Sequence, residues 1–292
     1  MSFSQDTKQE LSKINNLAKK DQVKQEFFGY LISCNISVIN NKVIRYATEN
    51  EYNINRFSKL LNNLNIDYSI EMEGKTFVIK FKLNDIINDC VKIEDNKIFL
   101  DFAQVASEEA KKILIRGVFL GAGSINNPEN KYHLELKFGS KENSEKVKEI
   151  LKEFYINFKS LNRQDKHALY IKEGEEISNF LALIGANSSV LKFEDIRVQR
   201  EMRGKVNRLV NCESANLTKT LNASIEQIDA IKKLQKNKKF NMLDENLKEI
   251  ANLRLENPDL PLSELGKKLR NPVGKSGVNY RLKKIIEIAN DV

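Results

Sequence analysis

The stretch Ile115-Arg116-Gly117-Val118-Phe119-Leu120-Gly121-Ala122-Gly123 decides the fold of this 292-residue chain. It overlaps the end of a predicted helix, residues 107–120, whose apolar core is Ile113-Leu114-Ile115. A glycine inside a helix costs about 1 kcal/mol relative to alanine, so its presence at 117 needs a structural reason. The feature recurs 88 residues earlier, where Phe27-Phe28-Gly29-Tyr30-Leu31-Ile32-Ser33-Cys34-Asn35 carries a glycine at the matching place. We therefore predict that two helices pack closely on each other at these glycines.

Around these two segments, the first 190 residues run twice through one order of elements, αββαββα. The first pass comprises a helix at 23–34, a hairpin turning at Asn40-Asn41, a helix at 53–64, a hairpin turning at 73–75 and a short helix at 83–90. The second comprises a helix at 107–120, a hairpin at 124–138 turning through 126–130, a helix at 145–154, strands at 157–161 and 168–172, and a helix at 175–184. We divide this region into two halves, residues 1–95 and 96–195.

This arrangement resembles the LAGLIDADG homing-endonuclease fold, in which two αββαββα halves are joined at a nine-residue motif. In the active enzymes the eighth motif position is an acid that holds the catalytic metal, and the corresponding residues here are Cys34 and Ala122. A divalent cation that cleaves phosphodiesters prefers carboxylate oxygens. The resemblance thus implies the fold, while the replaced acids predict a catalytically inactive scaffold without metal or cofactor. A residual nuclease is the alternative, and it would need acids elsewhere, such as Asp101 or Glu135.

The distribution of charge divides the chain into a neutral region and a basic region. Residues 1–195 carry 28 Lys and Arg against 28 Asp and Glu, whereas residues 196–292 carry 20 against 12, which equals the whole net charge of +8. A codon bias toward Lys, Asn and Ile would act on both regions alike, yet the first is neutral. A basic region of this kind favours nucleic acid as the partner of the last third.

The remaining composition excludes several classes of protein. Residues 1–20 are polar and contain no apolar core, so we expect no secretory signal, and no apolar run approaches the length of a membrane helix. Cys34, Cys90 and Cys212 are isolated and indicate reduced thiols of the cytoplasm rather than a disulfide framework. His133 and His167 have no spaced Cys or His partner, which argues against a zinc site or a His-based triad.

Between the repeat and the C-terminus, the sequence predicts two helices separated by a polar turn. Residues 198–210 form the first helix, with Gly204 as a point of flexing or close crossing, and residues 222–235 form the second. The polar residues 211–220 are interpreted either as an ordinary capped turn or as a phosphate-binding loop.

The last 50 residues have the spacing of a helix-turn-helix. A helix at 243–255 stops at Asn257-Pro258, a short helix at 262–269 contains Gly266 for close approach, and Asn271-Pro272-Val273-Gly274 breaks the chain. The last helix, capped by Ser276, has an apolar face whose members are Val278, Leu282, Ile285 and Ala289. Such a helix places its outer face in the major groove of DNA.

Roles on the outer face follow from the side chains. Asn279 offers paired hydrogen bonds to adenine, and Ser276 and Tyr280 reach bases or phosphates. Cations of the last helix and of the short helix before it neutralise phosphates and make binding depend on salt; these are Lys267, Lys268, Arg270, Lys275, Arg281, Lys283 and Lys284. A solvated, non-binding face is the alternative.

Three ordered motifs then identify the chain as similar to the WhiA family. They are residues 116–124 with Asn127-Pro128 and His133-Leu134-Glu135, residues 211–217, and residues 275–282. The resemblance implies a bacterial transcription regulator linked to sporulation septation, cell division or chromosome segregation, in which the C-terminal helix-turn-helix is the main reader of promoter DNA in the nucleoid. Tyr280 stands where the family pattern often has His, which affects the expected base preference.

The full expectation is an α+β protein of two αββαββα halves followed by an all-α helix-turn-helix domain, residues 196–292. The neutral charge of residues 1–195 also leaves open an interaction module, in which this region binds a division or transcription protein. One helix-turn-helix reads few base pairs, so specificity calls for the other domain, a dimer or a partner.

Overall fold

The structure is a computed structural model that describes residues 2–163 and 166–291. The chain divides into two compact units, residues 1–201 and 202–292. Each has a hydrophobic core of its own. The division lies inside a continuous helix, and the domain boundary at residue 195 stays a prediction.

The first half of the first unit follows the predicted order, preceded by one further helix. Its elements are α1 (Phe3–Ser12), α2 (Lys20–Leu31), β1 (Ile36–Ile39), β2 (Val43–Thr48), α3 (Glu51–Asn63), β3 (Tyr68–Glu73), β4 (Thr76–Phe81) and α4 (Asp85–Asn88). The sheet is antiparallel with strand order β1-β2-β4-β3. Asn40 and Asn41 adopt positive φ, as a two-residue hairpin turn requires. The unpredicted α1 begins with a capping box between Ser2 and Gln5.

A hairpin that the sequence pattern does not predict lies between the two halves. It consists of β5 (Val91–Glu94) and β6 (Lys97–Leu100), and its turn residues Asp95 and Asn96 both have positive φ. The dividing point at residue 95 lies within this turn. Strands of four residues give too short an alternation to be recognised from the sequence.

The second half repeats the architecture of the first. Its elements are α5 (Glu108–Ala122), β7 (Gly123–Ile125), β8 (Leu134–Phe138), α6 (Lys141–Glu153), β9 (Lys159–Arg163), β10 (Lys166–Ile171) and α7 (Gly174–Leu183). The strand order is β7-β8-β10-β9. The equivalence of the two sheets confirms the predicted repeat. The polar turn between β9 and β10 includes Gln164 and Asp165, which lie outside the described residues.

Helices α2 and α5 pack at the centre of this unit, as their glycines predict. A Cβ atom at Gly29 would collide with the Leu114 carbonyl oxygen, and one at Gly117 would collide with the Glu26 carbonyl oxygen. The Asn53 side chain also joins the halves, because its Nδ2 donates to the Leu120 carbonyl oxygen. Only glycine permits two helix backbones to approach so closely.

The linker is one helix rather than two. Helix α8 (Asn187–Lys236) is 50 residues long and includes the segment 211–220, so the predicted polar turn is wrong. Asn, Ser and Thr favour turns and caps, but no proline interrupts the segment, and Thr218 and Thr220 donate back to carbonyl oxygens four residues earlier. Gly204 lies in this helix, where an added Cβ would meet only Arg208, so it marks no close crossing.

The second unit is all-α. After α8 it contains α9 (Glu245–Glu256), α10 (Leu262–Lys267) and α11 (Lys275–Asn290). Its core combines the end of α8, at Ile231 and Leu234, with side chains of the three following helices. Asp244 accepts a hydrogen bond from the Leu247 amide and so caps α9.

Candidate nucleic-acid interface

The inner face of α11 anchors the helix in the second unit. Val278, Leu282, Ile285 and Ala289 are all buried, as the helical period predicts. The helix begins one residue earlier than the predicted cap. Gly274 is the N-cap and makes no side-chain cap, so Ser276 lies in the first turn and the prediction that it caps the helix is wrong.

A tight turn sets the position of α11 against α10. The Val273 amide donates to the Gly266 carbonyl oxygen over 3.2 Å, and a Cβ at Gly266 would collide with the Val273 carbonyl oxygen. The predicted close approach at Gly266 is therefore confirmed. Residues 271–274 separate the two helices without regular structure. This is the helix-turn-helix connection expected from the sequence.

The outer face of α11 is polar, basic and open. Lys275, Ser276, Tyr280, Lys283 and Lys284 are exposed, with Tyr280 at 68%. Asn279 and Arg281 are half-buried at the flanks. Within the described part of the chain, none of the three lysines makes an ion pair, and the first helical turn contains no acid. Free backbone amides and the uncompensated Lys275 at the helix N-terminus suit a phosphate.

The cations that precede the turn are held differently from those of α11. Lys267 pairs with Glu264 over 2.8 Å, and Lys268 donates to the Asn257 side chain over 2.8 Å. The backbone amide of Arg270 donates to Glu249 over 2.6 Å, while its side chain is exposed. Exposed ion pairs are worth at most about 1 kcal/mol, so Lys267 can exchange its carboxylate for a phosphate at small cost.

Arg254 is a positioning residue that was not predicted from the sequence. Its side chain is buried, and Nη1 donates to the carbonyl oxygens of Asn257, Pro258 and Leu260. Burial lowers the pKa of this guanidinium below its ordinary value. Ser224 of α8 donates to the Pro258 carbonyl oxygen over 2.5 Å. The loop before α10 is thus held from two sides, and the only signal in the sequence is an Arg in the last turn of α9.

In the first unit, neither of the two motif positions is an acidic residue. Cys34 is exposed and Ala122 is buried. The nearby Lys8 ammonium lies 5.8 Å from the centre of the Phe119 ring, and burial lowers its pKa to about 8. Sequence reasoning offered no sign of this lysine, because α1 lies outside the repeat.

The two candidate acids elsewhere have structural partners. Asp101 accepts a hydrogen bond from the Ala103 amide, and Glu135 pairs with Lys137 over 3.4 Å. Among the described residues, no cluster of three or more His, Cys, Asp or Glu side chains could hold a metal ion.

One sheet of the first unit has its charges paired across strands. Arg45 pairs with Glu73 and Lys80 with Glu71, each over 2.6 Å. Arg45 lies opposite Lys80 in the β2–β4 register, so both cations share one face. Each is compensated by a neighbouring acid, which leaves little attraction for phosphates.

In the residues described, no helix is long and apolar enough to cross a membrane.

Comparison with known proteins agrees with this arrangement. The family model for the WhiA C-terminal HTH domain matches residues 206–289, and the model for the WhiA LAGLIDADG-like domain matches residues 111–203. A probable cell division protein WhiA of Clostridium tetani is 38% identical over 315 residues, covering 100% of this chain and 98% of that protein.

A second relative and a solved structure extend the comparison. The probable cell division protein WhiA of Clostridium acetobutylicum is 48% identical over 188 residues, 64% of this chain, and the match spans 59% of that relative, less than two thirds of its length. The crystal structure of full-length DUF199/WhiA from Thermatoga maritima superposes with a TM-score of 0.64 at 28% identity, covering 100% of this chain and 99% of that one.

Proposed function

Because the chain belongs to the WhiA family, we propose that it is a DNA-binding transcription regulator that acts in cell division. The observation that carries the proposal is the outer face of α11, where exposed Lys275, Lys283 and Lys284 have no acidic partner among the described residues. A buried apolar face on the opposite side fixes this surface in the second unit. An exposed basic helix after a tight turn is suited to the major groove.

The proposed roles divide between bases and backbone. Asn279 and Tyr280 stand in the first two turns of α11, the part of a recognition helix that meets base edges. Ser276 binds a base or a phosphate from the first turn. The cations surround this reading face and contact phosphates; they are Lys267, Lys268, Arg270, Lys275, Arg281, Lys283 and Lys284.

We infer that the first unit is an inactive, nuclease-like scaffold. Cys34 and Ala122 supply no carboxylate at the motif positions. The paired charges of β2, β3 and β4 fit a protein partner better than a second strong DNA-binding surface. Promoter DNA as the target, location in the nucleoid, and further roles in sporulation or chromosome segregation belong to the same proposal.

The experiment is genome-wide mapping of bound sites, followed by fluorescence anisotropy of the full chain on a recovered promoter fragment and on a scrambled fragment. We expect the promoter fragment to bind on the order of a thousandfold more tightly, with an affinity that falls as salt rises. Equal affinity for both fragments would refute sequence-specific regulation.

The scaffold role has its own test. Supercoiled plasmid incubated with the full chain and Mg²⁺ should remain intact. Nicking that disappears in an Asp101→Asn or Glu135→Gln variant would instead show a nuclease that uses acids outside the motif.

A further inference from the structure

Strand β3 lies at the open edge of the first sheet. It pairs with β4 alone, in one unbroken register from Tyr68 to Glu73 without a bulge. Among the described residues, no backbone hydrogen bond joins β3 to any other element. In an antiparallel pair every second residue directs its amide and its carbonyl away from the partner strand, so half of the β3 residues present both groups to the open side.

The same strand leaves apolar side chains uncovered. Ile70 and Met72 are 51% and 64% exposed, and Tyr68 is half-buried. Ile70 lies opposite the buried Ile79, and because opposite residues share a face, this row lies on the core-facing side of the sheet. Natural edge strands avoid the combination of length, exposed apolar residues and unpaired backbone, because it allows another strand to pair there.

The equivalent edge strand of the second half is built differently. In β9, Ser160 lies opposite the buried Leu169, at the place that Ile70 has in β3. The Lys148 ammonium of α6 donates to the Ser160 hydroxyl over 2.8 Å. Lys159 is exposed at the start of β9, and a lysine on an edge strand opposes the pairing of a further strand. The repeat therefore protects one edge and leaves the other open.

The second row of β3 side chains is acidic. Glu71 and Glu73 belong to this row, Asp67 directly precedes the strand, and residues 67–73 contain no Lys or Arg. Asp67 has no cation partner among the described residues. Glu71 and Glu73 each pair with one cation of the sheet, yet their side chains remain 49% and 52% exposed. A strand added at this edge therefore gains from cations at alternate positions.

A second copy of this chain fits this edge less well. Two antiparallel β3 strands that pair about Glu71 set their Glu71 carboxylates opposite each other. A shift by two residues in either direction sets Glu73 of one copy opposite Asp67 or Glu71 of the other. Like charges directly opposite each other in a sheet are destabilising. The acids therefore favour a partner of different sequence.

We propose that the open edge of β3 is the docking site for an extended segment of another protein, which pairs with β3 and adds a strand to the first sheet. The segment carries apolar residues at alternate positions, beside Ile70 and Met72, and Lys or Arg at the intervening positions, beside Glu71. This proposal rests on the scaffold role proposed for the first unit and gives the scaffold a surface for its partner.

The test measures the binding of short fluorescein-labelled peptides to the full chain by fluorescence anisotropy. A basic peptide alternates Val or Ile with Lys, and an acidic peptide has Glu at the Lys positions. We expect the basic peptide to bind at least about tenfold more tightly. Two further peptides carry methyl groups on the backbone amides of the basic peptide, one on each alternate set. Because a strand pairs through one edge, one of these peptides should bind about tenfold more weakly and the other as before.

Substitutions on the two edge strands give a matched comparison. Ile70→Lys should weaken binding of the basic peptide about tenfold, and Asp67→Lys should reduce its advantage over the acidic peptide about threefold. Leu161→Lys on β9, whose parent side chain is 37% exposed, should leave binding unchanged. Circular dichroism and promoter binding of all three variants should match the wild type, which shows that the fold and the DNA-binding unit are intact.

Hydrogen exchange gives a direct readout of strand addition. The basic peptide should slow the exchange of β3 amides and leave the amides of β9 unchanged. The proposal is overturned if neither peptide binds, if the basic and acidic peptides bind equally, or if both methylated peptides bind as tightly as their parent. A dimer in sedimentation equilibrium that Ile70→Lys dissociates would assign the edge to a second copy. Promoter binding is measured separately on the same protein, so a failure here leaves the proposed regulator role standing.

Discussion

The strand cations of the first unit and the lysines on α11 of the second unit differ in whether an acid lies beside them. In the first unit Arg45, Lys80 and Lys137 each have a carboxylate partner within 3.4 Å. On α11 of the second unit, Lys275, Lys283 and Lys284 have none among the described residues. Uncompensated charge attracts a polyanion, and compensated charge does not. The difference supports the proposed division of roles, in which the first unit is a scaffold and the second unit binds DNA.

The largest expected effect is a loss of stability that is confined to the first unit. Gly117→Val should destabilise the first unit by about 3 kcal/mol or more, because the added carbons collide with the backbone of α2. Urea unfolding should show the loss, and DNA affinity should stay within about twofold, since a different core holds α11. As a control, Gly204→Ala meets only the end of Arg208 and should stabilise α8 by about 0.5 to 1 kcal/mol. Equal losses of DNA binding and stability in Gly117→Val would show that the units depend on each other.

The next effect concerns Arg254. Arg254→Ala removes the donor that satisfies three carbonyl oxygens, and we expect the second unit to lose roughly 2 to 4 kcal/mol. DNA binding should weaken with it, because the loop precedes α10. Arg254→Lys, which keeps one charge but not the planar fork, should recover part of the stability. A fully stable Arg254→Ala variant would contradict the positioning role.

Removing lysines from α11 should weaken DNA binding and make the affinity depend less on salt. For the pair Lys283→Gln and Lys284→Gln, the slope of log affinity against log salt should fall by about 1 to 2. The loss should be similar on every DNA sequence. A matched pair on α6, Lys146→Gln and Lys152→Gln, removes the same charge from the first unit and should leave the slope unchanged. An identical fall in both pairs would indicate a general charge effect.

Asn279→Ala should change specificity rather than overall affinity. We expect discrimination against one base pair to fall by about 1 to 3 kcal/mol, while affinity for scrambled DNA stays the same. Competition with promoter fragments mutated one base pair at a time measures this. If every fragment weakens equally, Asn279 contacts the backbone instead.

A last effect is a pH dependence that is confined to the first unit. Burial lowers the pKa of Lys8 to about 8 in the folded protein, so between about pH 8 and the ordinary lysine value of 10.5 the unfolded chain binds more protons. Stability should therefore rise with pH across this window in the wild type relative to Lys8→Met. Urea unfolding of the two proteins at pH 7 and pH 9.5 measures the difference, and a constant difference would contradict the burial of Lys8.

Some features of the fold and of the candidate site could be predicted from the sequence, and others could not. Both repeated sheets and the apolar face of α11 were predictable, because each follows from local periodicity or a turn. The glycine crossing was predictable because the same motif occurs twice in the sequence. The continuous helix through residues 211–220 was not, since the Asn, Ser and Thr residues there favour caps when judged alone. Arg254 and Lys8 were also missed. Lys8 lies on a helix outside the repeat, and Arg254 binds carbonyl oxygens of the loop that follows its own helix, whose conformation is not apparent from the sequence.

The close crossing of α2 and α5 has a consequence for how the first unit opens. A single hydrophobic cluster extends from Leu11 through both helices to Phe180, so neither αββαββα half has a core of its own. The repeat in the sequence is thus not a repeat of independent folding units. Amide hydrogens around Gly29 and Gly117 should exchange with solvent only when the entire unit opens. Those of the hairpin edges should exchange through smaller fluctuations.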